Sequence, residues 1–297
     1  MIPLLFQLSS ERSAPEPSDL SHQVPPSRED VLSWIRWVQR EWFSTISLPR
    51  IETVLSDVVD LFQGRFQGFR KCDTRYHDLE HTLRLIPPFC QIVAGLAQDG
   101  RGPISPRDVE LGLAAVLLHD SGYIRWVDDL RGTGAKYTFR HIDRSVAFSG
   151  LYLPSLGYRE ADLDSVEEMI RCTGVKAELE QVDFQSHATR LMGYTLGTAD
   201  LLAQMADPQY VEKLPLLFRE FNEAYAFEGE EQLRAWGIQP MRSAEELIQR
   251  TPLFFRHVVM SRLEGMGNLH RLLEDPTTGR NAYLDMVHRH MEVISRQ

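Results

Sequence analysis

Cysteine is scarce in this chain of 297 residues, which has only Cys72, Cys90 and Cys172. Three scattered cysteines cannot build a disulfide framework or a cysteine-rich zinc site, and they suit a reducing compartment. No apolar run approaches the roughly 20 residues that span a bilayer, and the apolar stretch Met1–Leu8 lacks the basic region and the cleavage signature of a signal peptide. The sequence therefore predicts a soluble, cytoplasmic protein.

Positive charge is also in short supply, because 42 Asp+Glu face 32 Lys+Arg and the formal net charge is −10. A surface this acidic argues against binding to a nucleic-acid polymer or to an anionic membrane, both of which favour basic proteins. It does not exclude a small phosphate-containing substrate, since a local site can reverse the global balance. The composition, with 43% hydrophobic residues, is that of a globular protein.

The sequence lacks any alternating apolar and polar segment of useful length, so it predicts no β-strand. Residues 1–27 are rich in Ser, Pro and Glu, and we interpret them as a flexible tail. Apolar residues recur at helical spacing from Arg28 onward, which predicts one all-α, compact, multi-helix domain over residues 28–297. The expected helices cover about 28–42, 48–62, 78–97 with a bend at Pro87–Pro88, 105–119, 138–153, 160–173, 187–205, 209–227, 243–265 and 279–295.

Polar residues interrupt apolar helices at three points. His77 and His81 are four apart, so a helix starting at this point would put both imidazoles near one face. The apolar helix after Ser105 ends in His119–Asp120, and Asp200 lies within the apolar stretch around Leu201. Each of these residues alone is more typical of a hydrogen-bonded core group. Together they form a mixed set of imidazole and carboxylate groups, which suits Mn, Fe, Mg or Zn.

Four motifs in order carry a resemblance to a known family. Over about residues 70–225, the chain is similar to the cyclic-nucleotide phosphodiesterase-like (HD/PDEase) branch of the HD-domain metal-dependent phosphohydrolase superfamily, which is named for its His-Asp doublet. The segments resemble, in turn, the branch's Tyr-His-Asn-x-x-His-Ala segment, its helix ending in His-Asp, its Ile-Leu-Ala-Thr segment and its Cys-Ala-Asp-Leu segment; they are Tyr76–Thr82, Ala114–Asp120, Ile170–Thr173 and Thr198–Leu201. The resemblance implies an all-helical HD/PDEase-like fold.

The resemblance also implies the roles of individual residues. The protein ligands of a first metal would be His81, His119, Asp120 and Asp200, and Asp120 would bridge to a second metal. His77 matches the general acid that protonates the leaving oxygen, so the implied catalytic residues are His77 and Asp120. The cofactors would be one or two divalent ions, drawn from Mg, Mn, Fe, Zn or Ni.

Four further residues are candidates near that site. His141 falls where the superfamily often places a histidine that serves the second metal or its waters, and a purely structural role for it stays open. Arg140, Arg144 and Lys176 are candidates to contact a substrate phosphate, against the alternative of ordinary surface or paired charge.

The implied enzyme is a phosphodiesterase or nucleotidase that hydrolyses a small phosphate ester or a linear or cyclic nucleotide through a metal-activated hydroxide. Two departures separate the chain from the cyclic-nucleotide enzymes. Asp78 replaces the Asn after the general acid, and the glutamine that binds the purine has no clear counterpart, since Gln232 and Gln239 are candidates only by their proximity. The alternatives are an HD-fold di-iron oxygenase and a non-catalytic HD sensing or scaffold domain. A homodimer is compatible with the sequence.

Overall fold

The computed structural model describes residues 26–100, 102–174 and 179–296. Within these ranges the chain forms twelve α-helices and no β-strand, which confirms the predicted all-α class. The helices are α1 (Arg28–Glu41), α2 (Leu48–Phe62), α3 (Leu79–Arg84), α4 (Ile86–Asp99), α5 (Pro106–Leu118), α6 (His141–Tyr152), α7 (Glu160–Ile170), α8 (His187–Met205), α9 (Tyr210–Ala235), α10 (Ala244–Phe254), α11 (Met260–Gly265) and α12 (Ala282–Ser295).

Helix α5 shows how the sequence sets a helix's ends. The Ser105 side chain accepts a hydrogen bond from the backbone N–H of Asp108, and the Asp108 carboxylate accepts one from the backbone N–H of Ser105. This reciprocal cap satisfies two donors that a helix start otherwise leaves free. Pro106 fits the first turn because its missing N–H has no partner there. The helix therefore begins where the sequence predicts and ends at Leu118, with His119 as its cap.

The proline pair Pro87–Pro88 separates two helices instead of bending one. We expected a single helix over 78–97, but α3 ends at Arg84 and α4 begins at Ile86. Proline has no backbone N–H to donate inside a helix, and it is tolerated in the first turn for the same reason. The consequence is that His81 lies on a short helix of its own, which Asp78 caps.

The other helix boundaries differ from the predicted ones in length more than in place. The helix predicted over 209–227 reaches a break at Gly229, where φ is 78° and ψ is 159°, and a further helical segment that the sequence did not predict continues α9 to Ala235. This positive φ is a conformation that glycine adopts readily and other residues avoid. The helix expected from 138 begins at His141, after a separate 3-10 turn at Gly134–Tyr137. The stretch predicted over 243–265 is helical throughout, with a π-helical turn at Phe255–Val259.

Two hydrophobic clusters hold the helices together, and α8 belongs to both. Leu196 and Ala199 pack into the larger cluster with α1, α2, α4, α5 and α7. Leu202 and Met205 pack into the second cluster with α9 to α12. Helix α5 is enclosed, because every residue from Val109 to Leu118 is buried. His119 and Asp120, at the end of α5, and Asp200, on α8, therefore lie in the protein interior.

Two sequence predictions, the N-terminal tail and the lack of a membrane-spanning segment, can be compared only with the described part of the chain. The tail predicted over residues 1–27 falls almost wholly on residues 1–25, outside the described residues. Among the helices that are described, none combines the length and the apolar character needed to cross a membrane.

Gly122 allows α6 to approach the turn that follows α5. Its backbone N–H donates to the Ser145 hydroxyl at 2.9 Å. A Cβ atom at this position would overlap the carbonyl oxygen of His141 and lie 2.8 Å from the backbone nitrogen of Ser145. We predict that Gly122→Ala lowers the free energy of unfolding by about 1–3 kcal/mol, the usual cost of overpacking, measured by urea denaturation.

Gly150, on the exposed side of α6, is the matched control. A Cβ atom at Gly150 would contact nothing within 4 Å. Because alanine is a better helix former, Gly150→Ala should raise the free energy of unfolding by about 0.5–1 kcal/mol. If Gly122→Ala were equally neutral or stabilising, the tight contact between α6 and the turn would be wrong.

Candidate metal centre

Three helices bring together a buried group that could hold a metal ion. His81 comes from α3, His119 from the end of α5 and Asp200 from α8. One ligand atom from each of the three lies within 4.8 Å of the other two, and all three residues are buried. Residues that are 119 positions apart in the sequence, from His81 to Asp200, therefore share one small volume.

Asp120 completes the centre of this group. Its Oδ2 atom lies 3.4 Å from Nε2 of His81 and 3.3 Å from Nε2 of His119. Its Oδ1 atom faces the other way and lies 3.7 Å from Nε2 of His141. Asp200, on α8, also lies beside His81, and its Oδ1 atom is 3.2 Å from Nε2 of His81. Asp120 thus directs Oδ2 toward His81 and His119, and Oδ1 toward His141.

The imidazole rings are held so that their Nε2 atoms point inward. Nδ1 of His119 bonds to the carbonyl oxygen of Val116 at 2.8 Å, and Nδ1 of His141 bonds to that of Thr138 at 2.7 Å. A carbonyl oxygen only accepts, so each Nδ1 carries the proton, and the neutral ring leaves Nε2 with its lone pair. Histidine ligands of metal ions are commonly fixed in this way.

The charges of the site favour a cation near the carboxylates. Burial alone would raise the pKa of Asp120, but the neighbouring imidazoles, His119 first, hold that pKa below its usual range. Burial alone would lower the pKa of His119, yet the charge of Asp120 raises that pKa to about 9. In the absence of a metal, the carboxylates therefore keep a proton on His119. Burial dominates at His141, where the pKa is lowered.

The bonding of two atoms fits a metal ion. Nε2 of His119 and Oδ2 of Asp120 are buried and face each other at 3.3 Å, but neither makes a hydrogen bond of normal geometry within the described part of the chain. Buried polar atoms normally have partners, and one without a partner calls for an ion, a water or a functional role. Two imidazoles and two carboxylates are donors that Zn, Mn, Fe or Mg accept. The residues present therefore fit a divalent ion.

His77 lies beside this group and is tied to a glutamate that the sequence did not reveal. Nδ1 of His77 is 2.7 Å from Oε2 of Glu220, and the His77 ring centre is 5.8 Å from that of His81. The other oxygen of Glu220 accepts the backbone N–H groups of Arg75 and Tyr76, at 2.8 and 2.7 Å. Glu220 on α9 thereby fixes the position of the segment that leads to His77.

Glu220 also favours a charged His77. Burial lowers the pKa of His77, but the hydrogen bond to Glu220 and the charges of Asp120 and Asp200 outweigh it, so the net shift is upward. Burial raises the pKa of Glu220, and the bond to His77 outweighs this effect, so the net shift is downward. The only sequence signal for Glu220 is a glutamate on the inward face of an amphipathic helix, which is a weak one.

The predicted phosphate contacts have partners within the protein. Both oxygens of Glu228 bind the guanidinium group of Arg140, at 2.6 and 2.5 Å. Arg144 donates to the carbonyl oxygens of Gly122 and Ile124, at 2.7 and 3.0 Å. Lys176 lies outside the described residues. Contact between any of these three and a substrate stays a prediction.

No protein-family model matches this chain, and no curated protein matches its sequence. The functional assignment therefore depends on the residues and the geometry of the buried group.

We predict that Glu220→Gln lowers the pKa of His77, because the amide keeps the shape of the side chain and removes its negative charge. The measurement is a pH titration of the His77 ring signals by NMR in metal-free protein. Glu223→Gln is the control, since Glu223 lies on the same helix and binds Thr133. An unchanged His77 titration in Glu220→Gln would contradict the proposed pairing.

Proposed function

We propose that this chain is a metal-dependent phosphohydrolase of the HD/PDEase-like class, acting on a small phosphate ester or a linear or cyclic nucleotide. The observation that carries the proposal is the buried group of His81, His119 and Asp200, together with the Asp120 oxygen that has no hydrogen-bond partner. These are the residues that the family resemblance implies as ligands, and they lie in three of its four motifs. The placement of His77 beside them supports the same assignment.

Four residues would hold the first metal ion: His81, His119, Asp120 and Asp200. The two oxygens of Asp120 face different neighbours, with Oδ2 toward His81 and His119 and Oδ1 toward His141. This arrangement supports a bridging carboxylate with His141 on the side of a second ion. When bound, divalent ions would lower the pKa of water and neutralise charge on the phosphoryl oxygens.

His77 would supply the proton for the leaving oxygen. Glu220 holds Nδ1, and its hydrogen bond and charge raise the pKa of the ring, which favours a proton on Nε2. A group that is protonated near the working pH is suited to general-acid catalysis. After transfer, Glu220 still fixes the ring through Nδ1, and Nε2 is free to take up a proton again.

Substrate recognition would depend on the metals more than on arginine. Arg140 is bound to Glu228, and Arg144 to two backbone carbonyl groups, so each guanidinium already has partners within the protein. A phosphate held by two divalent ions needs little further charge, because the ions themselves add about +4 to the site. The acidic surface of the protein is thus compatible with an anionic substrate.

Metal binding is the first test. We predict that Asp120→Asn reduces bound metal, measured by elemental analysis after incubation with Mn²⁺, and abolishes hydrolysis, because the amide cannot neutralise an ion. Mn²⁺ at about 100 times its Kd should stabilise the wild-type protein by about 2.7 kcal/mol and the variant by much less. Since the pKa of His119 is raised to about 9, the ion displaces a proton, and its affinity should increase as pH rises from 6 toward 9.

The exposed Asp143 gives the control for that experiment. It pairs with Arg171 on the surface, so Asp143→Asn should leave metal content and activity unchanged. Retained metal and retained hydrolysis in Asp120→Asn would refute the proposed function. Bound iron with an optical absorption and oxygen consumption would instead favour the di-iron alternative.

The role of His77 is tested by substrates that differ in their leaving group. We predict that His77→Asn lowers kcat by about 10²–10⁴-fold for an alkyl phosphate ester. A nitrophenyl ester, whose leaving group departs without a proton, should lose far less. The measurement is steady-state hydrolysis of the two esters by the Mn²⁺-loaded protein.

His288→Asn, on the exposed side of α12, is the control for this change and should hydrolyse both esters as the wild type does. Equal losses on the two esters in His77→Asn would show that His77 does not donate the proton.

A further inference from the structure

Tyr123 is a buried aromatic residue that contacts two of the site's histidines. It lies in the 3-10 turn Ser121–Tyr123, directly after Asp120, and only 1% of its surface is exposed. The centre of its ring is 4.6 Å from that of His77, with 11° between the planes. It is also 4.6 Å from the ring centre of His141, with 17° between the planes. Tyr123 therefore stacks on both imidazoles.

The two imidazoles lie on the same face of the Tyr123 ring. Their own ring centres are 6.2 Å apart and their planes differ by 27°. Rings stacked on opposite faces of a third ring would be separated by at least about 7 Å, twice the contact distance between carbon atoms. The shorter distance places His77 and His141 side by side above one flat surface.

We propose that Tyr123 is a positioning residue that sets the orientation of His77 relative to His141 and to Asp120. This inference rests on the proposed function, in which His77 donates a proton and His141 serves the second ion. The hydrogen bonds to Glu220 and to Thr138 each fix one ring atom, Nδ1. Because a ring held by one hydrogen bond can still tilt about its attachment to the chain, a contact on the ring face restricts its plane further.

The turn couples this aromatic surface to the metal site. The backbone N–H of Tyr123 bonds to the carbonyl oxygen of Asp120 at 3.1 Å. Gly122, between them, packs against α6 and so holds the turn next to His141. Tyr123 and Asp120 therefore keep a fixed relation, and the ring aligns His77 with the carboxylate that would bind the ions.

The test compares Tyr123→Leu with Tyr123→Phe. Leucine fills space but has no flat face, whereas phenylalanine keeps the ring. We expect Tyr123→Leu to lower kcat for an alkyl phosphate ester by about 10- to 100-fold, the cost of a small misplacement of reacting groups, with KM and Mn²⁺ content unchanged. Tyr123→Phe keeps the ring and therefore the alignment of the reacting groups, so its kcat should lie within about twofold of the wild-type value.

A second measurement does not depend on activity. Nuclei above the face of an aromatic ring are shielded, so the ring protons of His77 and His141 should give upfield NMR signals in the wild type and in Tyr123→Phe. In Tyr123→Leu both signals should move downfield. Tyr158→Leu is the control, because Tyr158 is equally buried but contacts Arg50 and Arg107, and it should leave kcat and both signals unchanged.

The outcomes separate the two hypotheses. Unshifted histidine signals in Tyr123→Leu, or a kcat equal to that of the wild type, would overturn the positioning role of Tyr123. A kcat in Tyr123→Phe as low as that in Tyr123→Leu would also overturn it, because the hydroxyl group and not the ring would then be responsible. A wild-type protein that hydrolyses no phosphate ester would refute the proposed function, while the NMR signals would still decide the geometry.

Discussion

The burial of two carboxylates in an apolar helical bundle is the constraint on which the rest of the site depends. Asp120 and Asp200 both lie in the interior, each within contact distance of Nε2 of His81. An ionised group taken out of water costs several kcal/mol unless opposite charge is close. The raised pKa of His119 is one response to this cost. A divalent cation would compensate more fully, because it neutralises both carboxylates and leaves the imidazoles in their ligating, neutral form.

The surrounding helices fix the orientation of the imidazole rings around the two buried carboxylates. Backbone carbonyl groups at the end of α5 and before α6 hold Nδ1 of His119 and of His141, so both Nε2 atoms face inward. Glu220 does the same for His77 from α9. Because α3, α5, α6, α8 and α9 each supply one part, the centre exists only when the bundle is packed.

Much of the fold could be predicted from local sequence, because caps and periodicity act over a few residues. The reciprocal cap of Ser105 and Asp108 gave the start of α5 correctly. The prediction at Pro87–Pro88 was wrong, since a proline pair is equally consistent with a bend and with a new first turn, and only packing decides between them. The helical segment after Gly229 was missed, because a glycine with positive φ can either end a helix or only interrupt it.

The sequence by itself determined the fold class and marked the candidate ligands: His81, His119 and Asp200 are polar residues in apolar helices, and the family resemblance implies their role. Only the tertiary structure showed which other residues lie beside this group. Glu220 is 143 residues from His77, and Tyr123 is near the His-Asp doublet but carries no polar signal of a site. Helical periodicity reports which face of a helix is buried, not which helix lies opposite. Residues that come into contact only when helices pack side by side therefore cannot be identified from the sequence.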